Sequence, residues 1–253
     1  VRITNPEGKQ VKAMQWDPWT GCYKISDGCT NCYYYGPYSK RCGQNEVLKT
    51  KDFYKPVETV YMPRKKITKY KMESGKTVNT CFTTDFFLPE ADEWRIEAWD
   101  IIKRRPDLNF FFITKRIDRF KVSLPNDWGE GYDNVTIGCT VENQELADYR
   151  LPLFLSYPIK HRIIVCGPIL GEINLTPYLQ GIEHVSTSGE TGRDARVCDY
   201  NWILDIREQC IKAGVPFQFR STGSLFRKDD VLYKINPKMQ HRTAKEIDIN
   251  ISY

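Results

Sequence analysis

Val135-Thr136-Ile137-Gly138-Cys139-Thr140-Val141-Glu142-Asn143 is the stretch that decides how this chain folds. Val135 to Cys139 is apolar and unbroken and reads as a strand, which Thr140-Val141-Glu142-Asn143 brings to a polar end. The segment Gln144 to Leu155 then has a helical pattern, and Arg162 to Cys166 is again a strand, followed by Gly167-Pro168-Ile169. Strand, helix, strand at this spacing is a parallel βα unit.

The same alternation extends in both directions. Upstream, Thr77 to Phe82 reads as a strand ending in Thr83-Thr84-Asp85, and Met14 with its neighbours supplies an earlier one. Glu90 to Arg104 has helical spacing through Trp94, Ala98, Ile101 and Ile102, between Pro89 and Pro106. Asn109 to Ile113 is an apolar strand ending in Thr114-Lys115-Arg116. Downstream, Glu183 to Ser186 opens onto Ser188-Gly189-Glu190-Thr191-Gly192, Asn201 to Ala213 is a helix stopped by Gly214, and Val215 to Phe219 is a last strand. Nearly continuous apolar strands fit a sheet covered on both faces. The fold class expected is therefore α/β: a parallel (β/α) barrel, complete or incomplete, with an open doubly wound sheet as the other topology. The polar residues gather just after the strands, where both architectures place ligands.

At 253 residues, with 41% hydrophobic and 27% charged residues, the chain can bury a large core as one α/β domain over 1–253. No run reaches transmembrane length, and Val1 to Gln15 is too polar for a signal peptide. Cysteine is present nine times, an odd number, and Cys81, Cys139 and Cys166 lie in apolar runs. Buried thiols in a reduced, cytoplasmic protein fit this better than a secreted disulfide framework.

The formal charge of +5 is mild, but the basic residues are local. An insertion at about 42–76 carries Lys49, Lys51, Lys55, Arg64, Lys65, Lys66, Lys69, Lys71 and Lys76, against Asp52, Glu58 and Glu73. Tyr54, Tyr61 and Tyr70 are interleaved with them. This pattern admits a nucleic-acid partner, with phosphate contacts and stacking. It equally admits a solvated basic face.

The chemistry-bearing motif lies near the start, in Thr20-Gly21-Cys22-Tyr23-Lys24-Ile25-Ser26-Asp27-Gly28-Cys29-Thr30-Asn31-Cys32-Tyr33. Thiolates are soft ligands for zinc, copper or iron–sulfur clusters. Cys22, Cys29 and Cys32 alone suit a [4Fe–4S] cluster with one iron open; Cys42 as a fourth ligand would give a structural zinc site or a closed cluster. Both readings stand on spacing. The histidines His161, His184 and His241 show no metal spacing.

Trp16-Asp17-Pro18-Trp19-Thr20-Gly21-Cys22, followed by Ser26-x-Gly28-Cys29-x2-Cys32-Tyr33, closely resembles the phage-associated Gp37/Gp68 (DUF5131) family. Thr114-Lys115-Arg116, Val141-Glu142-Asn143-Gln144, Leu170-Gly171, Gly189-Glu190-Thr191-Gly192, and Gln209-Cys210 through Ala213-Gly214-Val215-Pro216-Phe217 extend the resemblance in order. Its cysteines resemble a lengthened radical S-adenosylmethionine motif, C-x6-C-x2-C. That resemblance implies a barrel of radical S-adenosylmethionine type, with Cys22, Cys29 and Cys32 holding a [4Fe–4S] cluster. S-adenosylmethionine would be the second cofactor and source of a 5′-deoxyadenosyl radical, and a low-potential electron donor would be a partner. The substrate would be a nucleic acid, nucleotide or other polar molecule.

On this reading Tyr33, Asp85, Glu142 and Asn143 are expected at the cofactor, and Lys115, Glu190 and Arg220 are expected to act on it or on the substrate. Lys115 and Arg220 suit a carboxylate or phosphate. Arg193 falls in the same class of position. Each has a plain alternative: Glu142 and Asn143, for example, stand where a helix cap belongs. The competing function is a non-catalytic zinc or iron–sulfur protein that binds nucleic acid.

Overall fold

A computed structural model describes residues 2–4, 10–36 and 45–253. Its main sheet has seven strands: β1 (Met14–Trp16), β2 (Thr77–Thr80), β3 (Asn109–Thr114), β4 (Val135–Val141), β5 (His161–Cys166), β6 (His184–Ser188) and β7 (Phe217–Ser221). They pair in chain order from β1 to β7. The pairs β1–β2, β2–β3, β5–β6 and β6–β7 are parallel. A doubly wound sheet reverses its order at a switch point. This order does not reverse, and it runs as the strands of a (β/α) barrel do. It is incomplete, because β1 and β7 are the two ends of the order.

The connecting helices are α1 (Asp92–Lys103), α2 (Gln144–Ser156) and α3 (Tyr200–Ala213), with α4 (Gln240–Glu246) near the end of the chain. Local chemistry explains where they begin and stop. Asn143 accepts a hydrogen bond from the Leu146 amide at 3.0 Å and starts α2. Asp199 does the same for Asn201 at 2.9 Å, and Gly214, at φ +66°, ends α3 in the left-handed conformation that glycine adopts without penalty. None of the helices is long and apolar enough to cross a membrane among the described residues.

The chain divides into two compact units. The first comprises 1–22, 45–137 and 158–161, and its core is aromatic. Phe86 stacks on Phe112 at 4.5 Å, and Trp99 meets Phe86 and Trp128 edge-on at 4.9 Å each. Arg95 is fully buried on α1, an unusual place for a cation. It donates to the carbonyls of Phe86 at 2.8 Å and Leu88 at 2.6 Å and so fixes the turn after Asp85.

The second unit comprises 23–44, 138–157 and 162–253, so the division passes through β4. Its core is aliphatic and thiol-rich: Ile164, Cys166, Val185, Ile203, Ile206 and Cys210 are buried. Part of the β7 edge is bonded by Asn250 and Ile251. Phe217 and Ile251 exchange backbone hydrogen bonds at 3.0 and 2.8 Å, and Asn250 Oδ1 accepts from the Phe219 amide at 2.8 Å.

Two pieces of structure differ from the sequence reading. The basic insertion contains an antiparallel hairpin, Thr59–Met62 with Ile67–Tyr70, whose residues are mostly exposed and so carry no strong hydrophobic alternation. A three-stranded sheet of Val197–Asp199, Leu225–Lys228 and Val231–Lys234 lies outside the main sheet. Its strands are too short and polar to stand out by pattern.

Candidate functional site

In the first unit the site is built around Asp85, which ends the turn after β2 and is almost fully buried. Its Oδ1 accepts from the Thr114 hydroxyl at 2.8 Å and the Phe87 amide at 3.0 Å. Its Oδ2 accepts from the Lys115 amide at 3.0 Å and from Arg116 Nη1 at 3.3 Å. Four donors fill the roughly four acceptor positions of a carboxylate. Asp85, expected at the cofactor, is thus bonded entirely within the protein, and it ties the end of β2 to the end of β3. Lys115 is half-buried beside it.

The Arg116 guanidinium also reaches Cys22, with Nη1 4.0 Å from Sγ. The Thr84 hydroxyl donates to the Gly21 carbonyl, so the residue before Cys22 is fastened to the same turn. Gly21, at φ +91°, also packs where a Cβ would fall 2.1 Å from the Glu46 carbonyl oxygen. Trp16 and Trp19 are core residues: both are fully buried, and their indole N–H groups donate to the Phe53 and Asp85 carbonyls at 3.0 Å. Cys81 is also buried here; burial, then the charges of Asp17 and Asp85, push its thiol well up.

In the second unit the segment carrying Cys29 and Cys32 is fastened to two buried carboxylates. Ser26 Oγ donates to Glu142 Oε1 at 2.9 Å, and Arg150 Nη1 donates to Glu142 Oε2 at 2.9 Å and to the Thr140 carbonyl at 2.7 Å. Glu142, immediately after β4, has no exposed surface. Gly28 lies against it so closely that a Cβ would sit 2.4 Å from Glu142 Cγ and Oε1. At the other side Asn31 Nδ2 donates to Glu190 Oε2 at 3.1 Å and to the Asp194 carbonyl at 2.7 Å. Arg196 forks onto Glu190 at 3.0 and 2.7 Å and also reaches the Asp27 carbonyl at 2.7 Å.

Burial pushes the Glu190 carboxyl up, but hydrogen bonds from the Arg196 side chain and backbone and from Asn31, with the Arg196 charge, carry it below the ordinary carboxylate value. Its loop is held tightly as well. A Cβ on Gly189 would fall 2.3 Å from the Thr222 carbonyl oxygen, and the Glu190 carbonyl accepts from the Ser224 amide at 2.8 Å.

Within the cysteine segment, Cys32 donates its amide to the Cys29 carbonyl at 3.3 Å, one short turn back. Cys29 is buried and Cys32 half-buried. The eight described cysteines form no disulfide, and Cys42 lies outside the described residues. Among the described residues no three His, Cys, Asp or Glu side chains form the shell of a single metal ion. A cluster distributes its thiolates over separate irons, so its ligands need not converge on one point. Cys29 and Cys32 lie on one braced, glycine-relieved loop of the second unit, and their thiols are of the donor type that such a cluster takes.

The remaining expected residues have different surroundings. Asn143 caps α2, the plain alternative for that position. Tyr33 is 61% exposed and follows Cys32 in a short helical turn. Arg220 is the extra residue where the β6–β7 register shifts between Thr187 and Ser188; its carbonyl accepts from or faces His241 Nδ1 at 2.7 Å, and burial lowers its guanidinium pKa. Arg193 is exposed. The residues that brace the site, Ser26, Asn31, Arg116, Arg150 and Arg196, were not singled out by sequence reasoning. Ser26, Asn31 and Arg116 lay inside quoted motifs. Arg150, in the predicted helix after Glu142, carried a signal only in its charge on a face that must be buried.

Some buried oxygens lack a hydrogen-bond partner among the described residues: Asn79 Oδ1 and Thr83 Oγ1 around the end of β2 in the first unit, and Thr187 Oγ1 on β6 in the second. Such atoms in a folded protein point to a missing polar neighbour. No curated protein and no solved structure matches the chain. Residues 10–250 match the model of the family described as "Protein of unknown function (DUF5131)", and the chain belongs to that family.

Proposed function

We propose that this protein is a [4Fe–4S]-dependent radical S-adenosylmethionine-like enzyme acting on a polar substrate, with Cys22, Cys29 and Cys32 as cluster ligands. The observation that carries the reading is the attachment of Ser26 and Asn31, on either side of Cys29, to the buried carboxylates Glu142 and Glu190. These carboxylates follow strands β4 and β6, at the end of parallel strands where βα folds carry their chemistry. Cys22, Cys29 and Cys32 would hold the cluster, which would supply the low-potential electron for reductive cleavage of S-adenosylmethionine.

The chain's own residues position and shield. Glu142 and Glu190 fix the thiol loop, and Gly28 lets the loop approach Glu142. Arg116 places a positive charge 4.0 Å from Cys22 Sγ, which suits a sulfur that must be deprotonated to act as a ligand. Asp85 orients the Lys115 backbone in the first unit, and Lys115 there and Arg220 in the second unit are each of the type that binds a carboxylate or phosphate. In the first unit, the partnerless oxygens of Asn79 and Thr83 support a polar neighbour at the end of β2.

Anaerobic reconstitution tests the reading. It expects a brown protein with broad absorbance at about 400 nm and roughly four irons per chain, whose reduced paramagnetic signal changes on adding S-adenosylmethionine. One zinc in a colourless protein would overturn it in favour of a zinc-bound binding module.

A further inference from the structure

We infer that the hairpin Thr59–Met62/Ile67–Tyr70 is a docking surface for single-stranded nucleic acid, gripping phosphates at its turn and stacking bases on its tyrosines. The inference does not depend on the cysteine site. From Thr59 to Lys71 the chain has five cations and no acidic residue. Of the insertion's other cations, Lys49 pairs with Glu97 at 2.8 Å, Lys71 with Glu58 at 2.8 Å and Lys76 with Glu73 at 3.9 Å, Lys55 donates to the Gln15 carbonyl at 3.1 Å, and Lys51 is exposed. Arg64, Lys65, Lys66 and Lys69 form no ion pair among the described residues, and all four are exposed. Lys66 occupies a turn position at φ +51°, where glycine would be more comfortable, so the turn keeps a charge at some conformational cost.

The register decides which side chains share a face. Thr59 pairs with Tyr70 and Tyr61 with Thr68, so the two tyrosines and two threonines project together. Tyr61 is 58% exposed and Tyr70 38%. The Tyr70 ring is held by the Arg105 guanidinium, 4.1 Å from its centroid. Arg105 is itself buried, donating to the Met72 carbonyl at 2.9 Å and to Asp107 at 2.9 and 2.8 Å. The aromatic face is thus anchored at its base and open beyond it. Lys69, paired with Val60, projects from the other face, so the cations that flank the tyrosine face are Arg64, Lys65 and Lys66 at the turn, and a simple solvated surface does not explain this combination. Alternating cations and aromatic platforms match the charge and π-faces of an unpaired strand.

The test is fluorescence anisotropy of the full chain with a labelled single-stranded oligonucleotide, as DNA and as RNA, and with a duplex of the same length, over a salt series. Expected is single-strand binding that weakens with salt, with a log–log slope of about −2 for three phosphate contacts at the turn. The triple variant Arg64→Ala/Lys65→Ala/Lys66→Ala should make that slope shallower by about 2. Tyr61→Ala should weaken binding by about 5- to 100-fold at unchanged slope, and Tyr61→Phe should restore it. Circular dichroism checks that each variant is folded. No single-strand binding at low salt, equal binding of duplex, or an unchanged slope in the folded triple variant would each overturn the inference.

Discussion

Ser26 Oγ lies 2.9 Å from Glu142 Oε1 and donates to it, so a hydroxyl three positions before Cys29 is bonded to a carboxylate with no exposed surface. The order of the thiol loop is therefore set by groups far away in sequence, and its disturbance can be read without knowing the substrate.

Gly28→Ala puts a methyl group 2.4 Å from Glu142 Cγ and Oε1. Overpacking of this kind costs about 1–3 kcal/mol. The variant should unfold at lower denaturant and retain less iron after anaerobic reconstitution. Gly171→Ala, where a Cβ meets nothing within 4 Å, is the control and should stay within about 0.5 kcal/mol of the parent.

Arg150→Met removes the cation that faces Glu142 across 2.9 Å, a pair whose side chains are 3% and 0% exposed. Leaving one buried charge without its partner costs about 3–5 kcal/mol. Urea denaturation should show that loss, and Glu142→Gln in the same chain should recover part of it.

Glu190 has a folded pKa below its ordinary value of 4.5. Its ionised form therefore contributes stability that is fully present above that value and is lost as pH falls through the folded pKa. Denaturation midpoints measured downward from about pH 5 should fall, and Glu190→Gln should flatten that part of the profile.

Burial pushes the thiols of Cys198 and Cys210 up to about 12, with Asp199 adding to the effect at Cys198. At about pH 8 both stay protonated and should resist iodoacetamide in the native protein. Cys22 and Cys32, both half-buried, should be alkylated in metal-free protein and protected after iron loading, as followed by peptide mass spectrometry.

Much of this fold could be read from the chain because its strands are apolar throughout and its helices carry their own stop signals. Val135–Val141, Asn109–Thr114 and Tyr200–Ala213 lie within two residues of where pattern and caps put them. The ordering of the sheet was legible only as a choice between barrel and doubly wound forms, since periodicity says nothing of neighbours. At the site, the position of Glu142 and Glu190 after strands was legible, but their partners were not. Arg150 is eight residues from Glu142 and Asn31 is 159 from Glu190, and no local rule joins residues at such separations. The position of Asp85 after a strand was legible, but its four donors were not, because they depend on where β3 ends.

The bonding of Phe217 and Phe219 by Ile251 and Asn250 has a further result. A bare outer strand is a template on which a second molecule can zip. Asn250 and Ile251 act here as a selvage along part of that border, and removing residues 250–253 should increase self-association, visible as a mass increase in light scattering.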